Sequence, residues 1–206
     1  MSRRPSKLNK VKAKSKMKKT KKNKKMYDPI TISNNEKDGY EYYVGLDMSL
    51  TSTGIAILSS NKIELTYNIV TNNSQFDSRI ARLKFIVDDV FRVLSDYPSE
   101  NTVVTIEHYA MHLFNSAYNL AELGGILRYL LYLKGYTYIE APPTTIKKFV
   151  TNKGNAKKED VKLALYKNYG VDFEGEVNDI SDSFAVAIYG YHYVTGNKFI
   201  IKETKM

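Results

Sequence analysis

Tyr42-Tyr43-Val44-Gly45-Leu46 is an apolar run of strand length, and two more follow at Gly54 to Leu58 and Ile63 to Val70. The turn signal Ser59-Ser60-Asn61 separates the last two, so the three predict an up-and-down meander. The period then changes. Ile80, Leu83, Val87, Val90, Phe91 and Leu94 recur at three- and four-residue spacing, which predicts an amphipathic helix over about 77–97. Pro98-Ser99-Glu100-Asn101 ends it, and Thr102 to Ile106 is a short β-branched strand. A helix over Tyr118 to Leu133 and a strand over Tyr136 to Ile139 come next. Pro142-Pro143 opens a helix to about Val150, Thr151 to Ala156 is a polar loop, and Lys158 to Asn168 is helical up to a stop at Gly170. The last helix runs from about Asp179 to Tyr193. Three strands, helix, strand, helix, strand, then helices is the order of an α/β protein with a mixed sheet.

Before Tyr40 the pattern is different. Residues 1–25 hold 13 Lys or Arg and no acid, with too few apolar side chains to pack. The segment reads as a disordered basic arm, followed by a linker to Gly39 rich in Asn, Ser and Asp; residues 40–206 read as the folded domain. Of the 31 basic residues in the chain, 18 therefore remain beyond the arm, against all 22 acids, a net of −4. So the basic balance belongs to the arm, which predicts a salt-sensitive, phosphate-seeking appendage rather than a basic fold. There is no Cys or Trp, hence no disulfide framework and no thiolate zinc site. No apolar run approaches the roughly 18 residues of a membrane span, and no signal-peptide pattern opens the chain. The expectation is a soluble cytoplasmic protein without membrane contact. Its Lys-, Asn-, Ile- and Tyr-heavy composition hints at an AT-rich source, a bacterial cell or one infected by a bacteriophage.

Four acids stand out by position. Asp47 ends the first strand and Glu107 the fourth, each after an apolar run. Asp179 and Asp182 are one turn apart on the same face of the last helix. Any one of them alone fits a turn former or a helix-capping acid. If the first and fourth strands are neighbours and the last helix crosses them, all four converge, and such a cluster requires a counter-charge. With oxygen ligands only, the cation is Mg²⁺, with Mn²⁺ able to substitute. Two such ions about 3.5–4 Å apart would serve phosphodiester hydrolysis, one activating water and the other steadying the departing oxygen. Seven lysines within 147–167, among them Lys148, Lys153, Lys157 and Lys162, form a local phosphate-binding patch in an otherwise acidic domain. A merely solvated helix face would show the same run of charge.

Gly45-Leu46-Asp47-Met48-Ser49 with Thr53-Gly54-Ile55-Ala56 resembles the opening of RuvC-type Holliday junction resolvases. Ile106-Glu107 is similar to their second acid, and Asp179-Ile180-Ser181-Asp182-Ser183-Phe184-Ala185 to their C-terminal helix. The resemblance covers about 42–194 and implies a ribonuclease H-like fold with a mixed five-stranded sheet flanked by helices. It also implies a homodimer and Mg²⁺-dependent symmetric nicking of four-way DNA junctions. Ile146 to Val150 and Asn155 to Lys158 are similar to the family's lysine-bearing stretches, which makes Lys147 and Lys158 the basic residues near the scissile phosphate. Met48 and Ser49-Leu50-Thr51 depart from the family's turn. The family's aromatic wedge position is Ala110 here, and Tyr109 or Phe114 could take its place on branched DNA.

The remaining signals are weaker. His108 and His112 have a zinc-compatible spacing but no third ligand, and His192 sits among tyrosines as a packing residue. Gly124-Gly125 predicts close helix–helix approach, at a dimer interface for example. Asp-x-Gly-like openings also occur in the ATPase and sugar-kinase class, but this chain is too short for its duplicated domain. The same residues are also compatible with a general flap-and-fork nuclease, or with a branched-DNA-binding module that has no catalytic activity.

Overall fold

A computed structural model describes residues 30–32, 39–108, 114–173 and 178–201. Its strands are β1 (Ile30–Ile32), β2 (Tyr42–Asp47), β3 (Ser52–Leu58), β4 (Ile63–Val70), β5 (Thr102–Glu107) and β6 (Thr137–Ala141). They form one mixed sheet in the order β1-β6-β5-β2-β3-β4. The meander β2-β3-β4 is antiparallel, as the turn signals predict. β5 lies parallel to β2, β6 parallel to β5, and β1 antiparallel to β6. Five of these strands are those expected. The sixth, β1, comes from the segment read as linker: Ile30-Thr31-Ile32 is a β-branched triplet too short to stand out beside Pro29 and the polar run after it.

Period-two alternation divides the molecule into two layers. Val44, Leu46, Ile55, Ile57, Val104 and Ile106 face one side, where α1 (Arg79–Leu94) and α2 (Phe114–Leu133) cover them. Tyr43, Ala56, Leu58, Val103 and Ile139 face the other, beneath α3 (Pro143–Thr151), α4 (Lys158–Tyr169) and α5 (Asn178–Thr195). α1 starts at Ser78, whose Oγ accepts from the Ala81 N–H at 3.1 Å. Its buried face is Leu83, Ile86, Val87, Val90 and Leu94; Ile80, counted with the apolar stripe in the sequence, lies exposed. α4 stops at Gly170, where φ is +72°, as the sequence predicts.

α5 approaches the sheet with no side-chain layer between them at two points. A Cβ on Gly45 would overlap the Ser183 carbonyl oxygen, and one on Gly54 would overlap that of Asp179. Glycine at these strand positions lets the helix backbone rest on the sheet backbone. That contact fixes where the first turns of α5 sit. In α2 the close approach at Gly124 is to Met48, whose Cε would lie 3.2 Å from an added Cβ, and Gly125 faces open space. The expected helix–helix contact at this pair is thus replaced, within the chain, by a methionine from the β2–β3 turn. No helix among the described residues is long and apolar enough to cross a membrane.

Candidate active site

Parallel register brings the first two acids together. Leu46 pairs with Ile106, so the next residues, Asp47 and Glu107, end neighbouring strands side by side. Alternation turns both toward the α5 layer, since Tyr43 and Val103 lie on that side, four residues before each. α5 then delivers Asp179 in its first turn and Asp182 one turn later. One oxygen each from Asp47, Asp179 and Asp182 lie within 4.8 Å of one another. Glu107 stands beside them at the end of the neighbouring strand, lining the same cleft as Asp47 and Asp182. The four acids predicted from the sequence therefore share one place. Asp47, Glu107 and Asp182 line a cleft of about 190 Å³ whose apolar walls are Pro143, Ile146, Val161 and Ala185.

Both predicted active-site lysines line the same cleft. Lys158 donates from Nζ to Asp182 Oδ2 at 2.7 Å and stands 3.9 Å from Asp179 Oδ1. The electrostatics show a shortage of positive charge. Burial, then the charges of Glu107, Asp182 and Asp179, push the Asp47 carboxyl well above its ordinary range, against the pull of Lys158. Burial and the charge of Asp182 push Glu107 up to about 7, with Lys147 and Lys158 opposing. Burial works against the charge on Lys158, but its hydrogen bond to Asp182 and the charges of Asp182, Asp179 and Asp47 outweigh it and raise its pKa. Carboxyls held this close, with only oxygen donors, fit a hard divalent cation.

The other predicted residues divide. Lys148, Lys153 and Lys157 are exposed around the α3–α4 loop, available to a large ligand. Lys162 instead donates to the Phe173 carbonyl at 3.3 Å and lines a separate pocket with Leu163, Tyr166 and Asp172. Tyr109, His112, the Phe114 side chain and the basic arm lie outside the described residues. His108 Nε2 stands 3.8 Å from Glu140, which also accepts from Arg128 at 3.3 Å. His192 stacks on Phe149 with ring centroids 5.0 Å apart, a packing role as expected.

Sequence reasoning missed Arg82. It is 5 % exposed and donates to the Leu50 carbonyl at 2.6 Å, to Thr71 Oγ1 at 2.9 Å, to the Thr71 carbonyl at 3.2 Å and to Asn73 Oδ1. The guanidinium thereby pins the turn that follows Asp47 to the segment leaving β4. A signal was present: Arg82, Ile86 and Val90 are spaced four apart on the buried face of α1.

A mixed sheet whose parallel central strands each end in a carboxylate, completed by two more from a helix laid across them, defines a ribonuclease H-like nuclease scaffold with an acidic, cation-binding centre. Residues 43–190 match the model of the crossover junction endodeoxyribonuclease RuvC family. The chain belongs to that family. The crossover junction endodeoxyribonuclease RuvC of Ehrlichia canis is 33% identical over 159 residues, covering 76% of this chain and 98% of that relative. The structure of Thermus thermophilus RuvC has the same fold, with a TM-score of 0.63 at 18% identity over 76% of this chain and 98% of that one. T. thermophilus RuvC in complex with Holliday junction substrate superimposes with a TM-score of 0.62, covering 77% and 99%.

Proposed function

We propose that this chain resolves four-way (Holliday) DNA junctions as a divalent-metal-dependent endonuclease that makes paired, symmetric nicks. The observation that carries the reading is the convergence of Asp47, Glu107, Asp179 and Asp182 with Lys147 and Lys158 at one cleft. Family membership supports it, and a T. thermophilus relative is described in complex with the same kind of substrate.

Asp47, Asp179 and Asp182 would hold Mg²⁺, with Glu107 completing the donor set for a second ion, and Mn²⁺ would serve in its place. Bound there, such ions supply an activated water and neutralise charge on the departing oxygen. The chain's own groups do the rest. Lys147 and Lys158 place two ammonium groups at the cleft, where the non-bridging oxygens of a phosphate would lie. Pro143, Ile146, Val161 and Ala185 limit the water around them, which strengthens each charge interaction. Exposed Lys148, Lys153 and Lys157 would grip the flanking backbone, with Lys162 contributing only if it leaves Phe173. Tyr109 or Phe114 would serve as the wedge in the branch point, and the basic arm of residues 1–25 would hold the duplex arms nonspecifically.

Nicks in two opposed strands call for two sites related by a two-fold axis, hence a homodimer. The face that supports this is a stripe along α2: Tyr118, Tyr129, Tyr132 and Leu133 are all exposed, and Gly125 between them leaves open space.

The test is cleavage of an end-labelled four-way junction in Mg²⁺, beside matched linear duplex and flap DNA, with Asp47→Asn in parallel. Paired nicks confined to the junction, lost in the variant while junction binding persists, are expected. Equal cutting of flaps would replace the reading with a general branched-DNA nuclease. Tight binding without cutting in either Mg²⁺ or Mn²⁺ would leave only a binding module.

A further inference from the structure

The carboxylate cluster already contains a cation of its own. Lys158 Nζ lies 2.7 Å from Asp182 and 3.9 Å from Asp179, two of the three aspartates whose oxygens gather within 4.8 Å. A Mg²⁺ ion needs its ligand oxygens at about 2.0–2.1 Å. An ammonium and a dication drawing on the same two carboxylates would stand only a few ångströms apart. Both cannot occupy that corner favourably.

The two lysines of the cleft differ in this respect. Lys147 lines the same cleft from α3, yet among the described residues it forms no ion pair with any of the four acids. Lys158 is the first residue of α4, on a flexible four-carbon stem, and its side chain is 48% exposed. Asp179 and Asp182 are more enclosed, at 21% and 16%. The lysine is thus the member of this pair with a way out into the cleft mouth.

We infer that Lys158 is a resident counter-cation that divalent metal must displace, holding the aspartates together until a backbone phosphate takes over its ammonium group. The inference rests on the metal-dependent reading above. It gives Lys158 two successive partners, a carboxylate before substrate arrives and a phosphate afterwards. Metal and nucleic acid then favour each other's binding, and linkage makes that coupling reciprocal.

The experiment is calorimetric titration of the full chain with Mg²⁺ in the absence of DNA, on the wild type, Lys158→Met, Lys158→Arg and Lys147→Met. Lys158→Met is expected to bind Mg²⁺ at least about tenfold more tightly, an effect of about 1.4 kcal/mol. Lys147→Met removes the same charge from the same cleft and should change affinity less than about threefold, and Lys158→Arg should not tighten binding, because each keeps a cation on the aspartates. A second readout needs no variant to be stable beyond the one used for assignment. The Lys158 side-chain ammonium resonance, assigned with Lys158→Arg, should be protected in metal-free protein and should shift and broaden at saturating Mg²⁺.

Equal tightening in Lys158→Met and Lys147→Met would reduce the effect to long-range charge and overturn the inference. So would unchanged or weaker binding in Lys158→Met, or an ammonium resonance indifferent to Mg²⁺. If the wild type binds Mg²⁺ and cuts junctions while those results fail, only the role of Lys158 falls. If no form binds Mg²⁺, the metal-dependent reading falls with it.

Discussion

Glu107 makes the cost of the acidic centre measurable without any DNA. Burial, the charge of Asp182 and the incomplete compensation by Lys147 and Lys158 leave its carboxyl titrating at about 7 rather than 4.5. A pKa raised in the folded state means that stability is fully present below the unfolded value and is lost as pH rises through the folded one. The difference of about 2.5 pH units corresponds to a loss of up to about 3 kcal/mol in metal-free protein between about pH 4.5 and pH 8. Glu107→Gln keeps the shape and removes the charge. In EDTA the variant should match the wild type near pH 4.5 and exceed it by about 3 kcal/mol at about pH 8. For a chain of this size that is about 6–12 °C in Tm. Urea unfolding at both pH values, read as the difference between the two proteins, reports this carboxyl together with its charge coupling to Asp47 and Asp182. Saturating Mg²⁺ should then close the gap by stabilising the wild type more than the variant. A difference that stays constant with pH, or a variant less stable than the wild type at about pH 8 in EDTA, would refute the account of the site as a strained acidic cluster.

Three further outcomes follow from named interactions. Gly45→Ala puts a methyl into the Ser183 carbonyl, so α5 must lift; urea denaturation should show a loss of about 1–3 kcal/mol, and Mg²⁺ half-saturation should rise because Asp179 and Asp182 move with the helix. Arg82→Met leaves the Thr71 carbonyl and the amide oxygen of Asn73 without the guanidinium donor and leaves the Leu50 carbonyl with the Thr71 hydroxyl alone, and should cost at least about 2 kcal/mol by the same measurement. Deleting residues 1–29 should flatten the salt dependence of junction affinity, measured by fluorescence anisotropy, by about 0.9 in log–log slope for each phosphate that the arm neutralises; an unchanged slope would show that the arm does not touch DNA.

How much of this was readable beforehand depends on whether the information is local. The continuous apolar run of Tyr42 to Leu46 follows from burial on both faces and the 3.6-residue stripe of α1 from burial on one, so those elements are visible in a single stretch of chain. Asp47 and Glu107 were legible as strand-end acids. Their adjacency was conditional, because parallel pairing across the intervening meander and helix leaves no local trace; the family resemblance supplied it. Gly45 and Gly54 did carry a signal, since glycine within a strand marks a close backbone approach, but not which backbone approaches. Lys162 looked like its neighbours in a lysine-rich run. What separates it is the Phe173 carbonyl, brought beside it by the chain beyond α4. β1 escaped because three β-branched residues acquire meaning only when β6 offers them an edge.

The same sheet geometry bears on how an acidic domain comes to hold a polyanion. Residues 26–206 carry a net charge of −4, so attraction cannot come from the fold as a whole. At physiological ionic strength charges act over roughly 8 Å, which makes local placement decisive. Lys147 and Lys158 are placed at the cleft by α3 and α4, directly beside the carboxyls they oppose. β1 adds a second source. Ala141 pairs with Glu107, and Ile30 pairs with Glu140, one residue away. Because β1 runs antiparallel to β6, the chain enters it at the end of the sheet that carries Asp47 and Glu107. The chain that leads into Ile30 is therefore joined at the end of the sheet that carries the proposed site, and 13 of the first 25 residues are basic. Three residues of edge strand thus set the end of the sheet at which the N-terminal segment joins the fold, and that end is where the proposed substrate would lie.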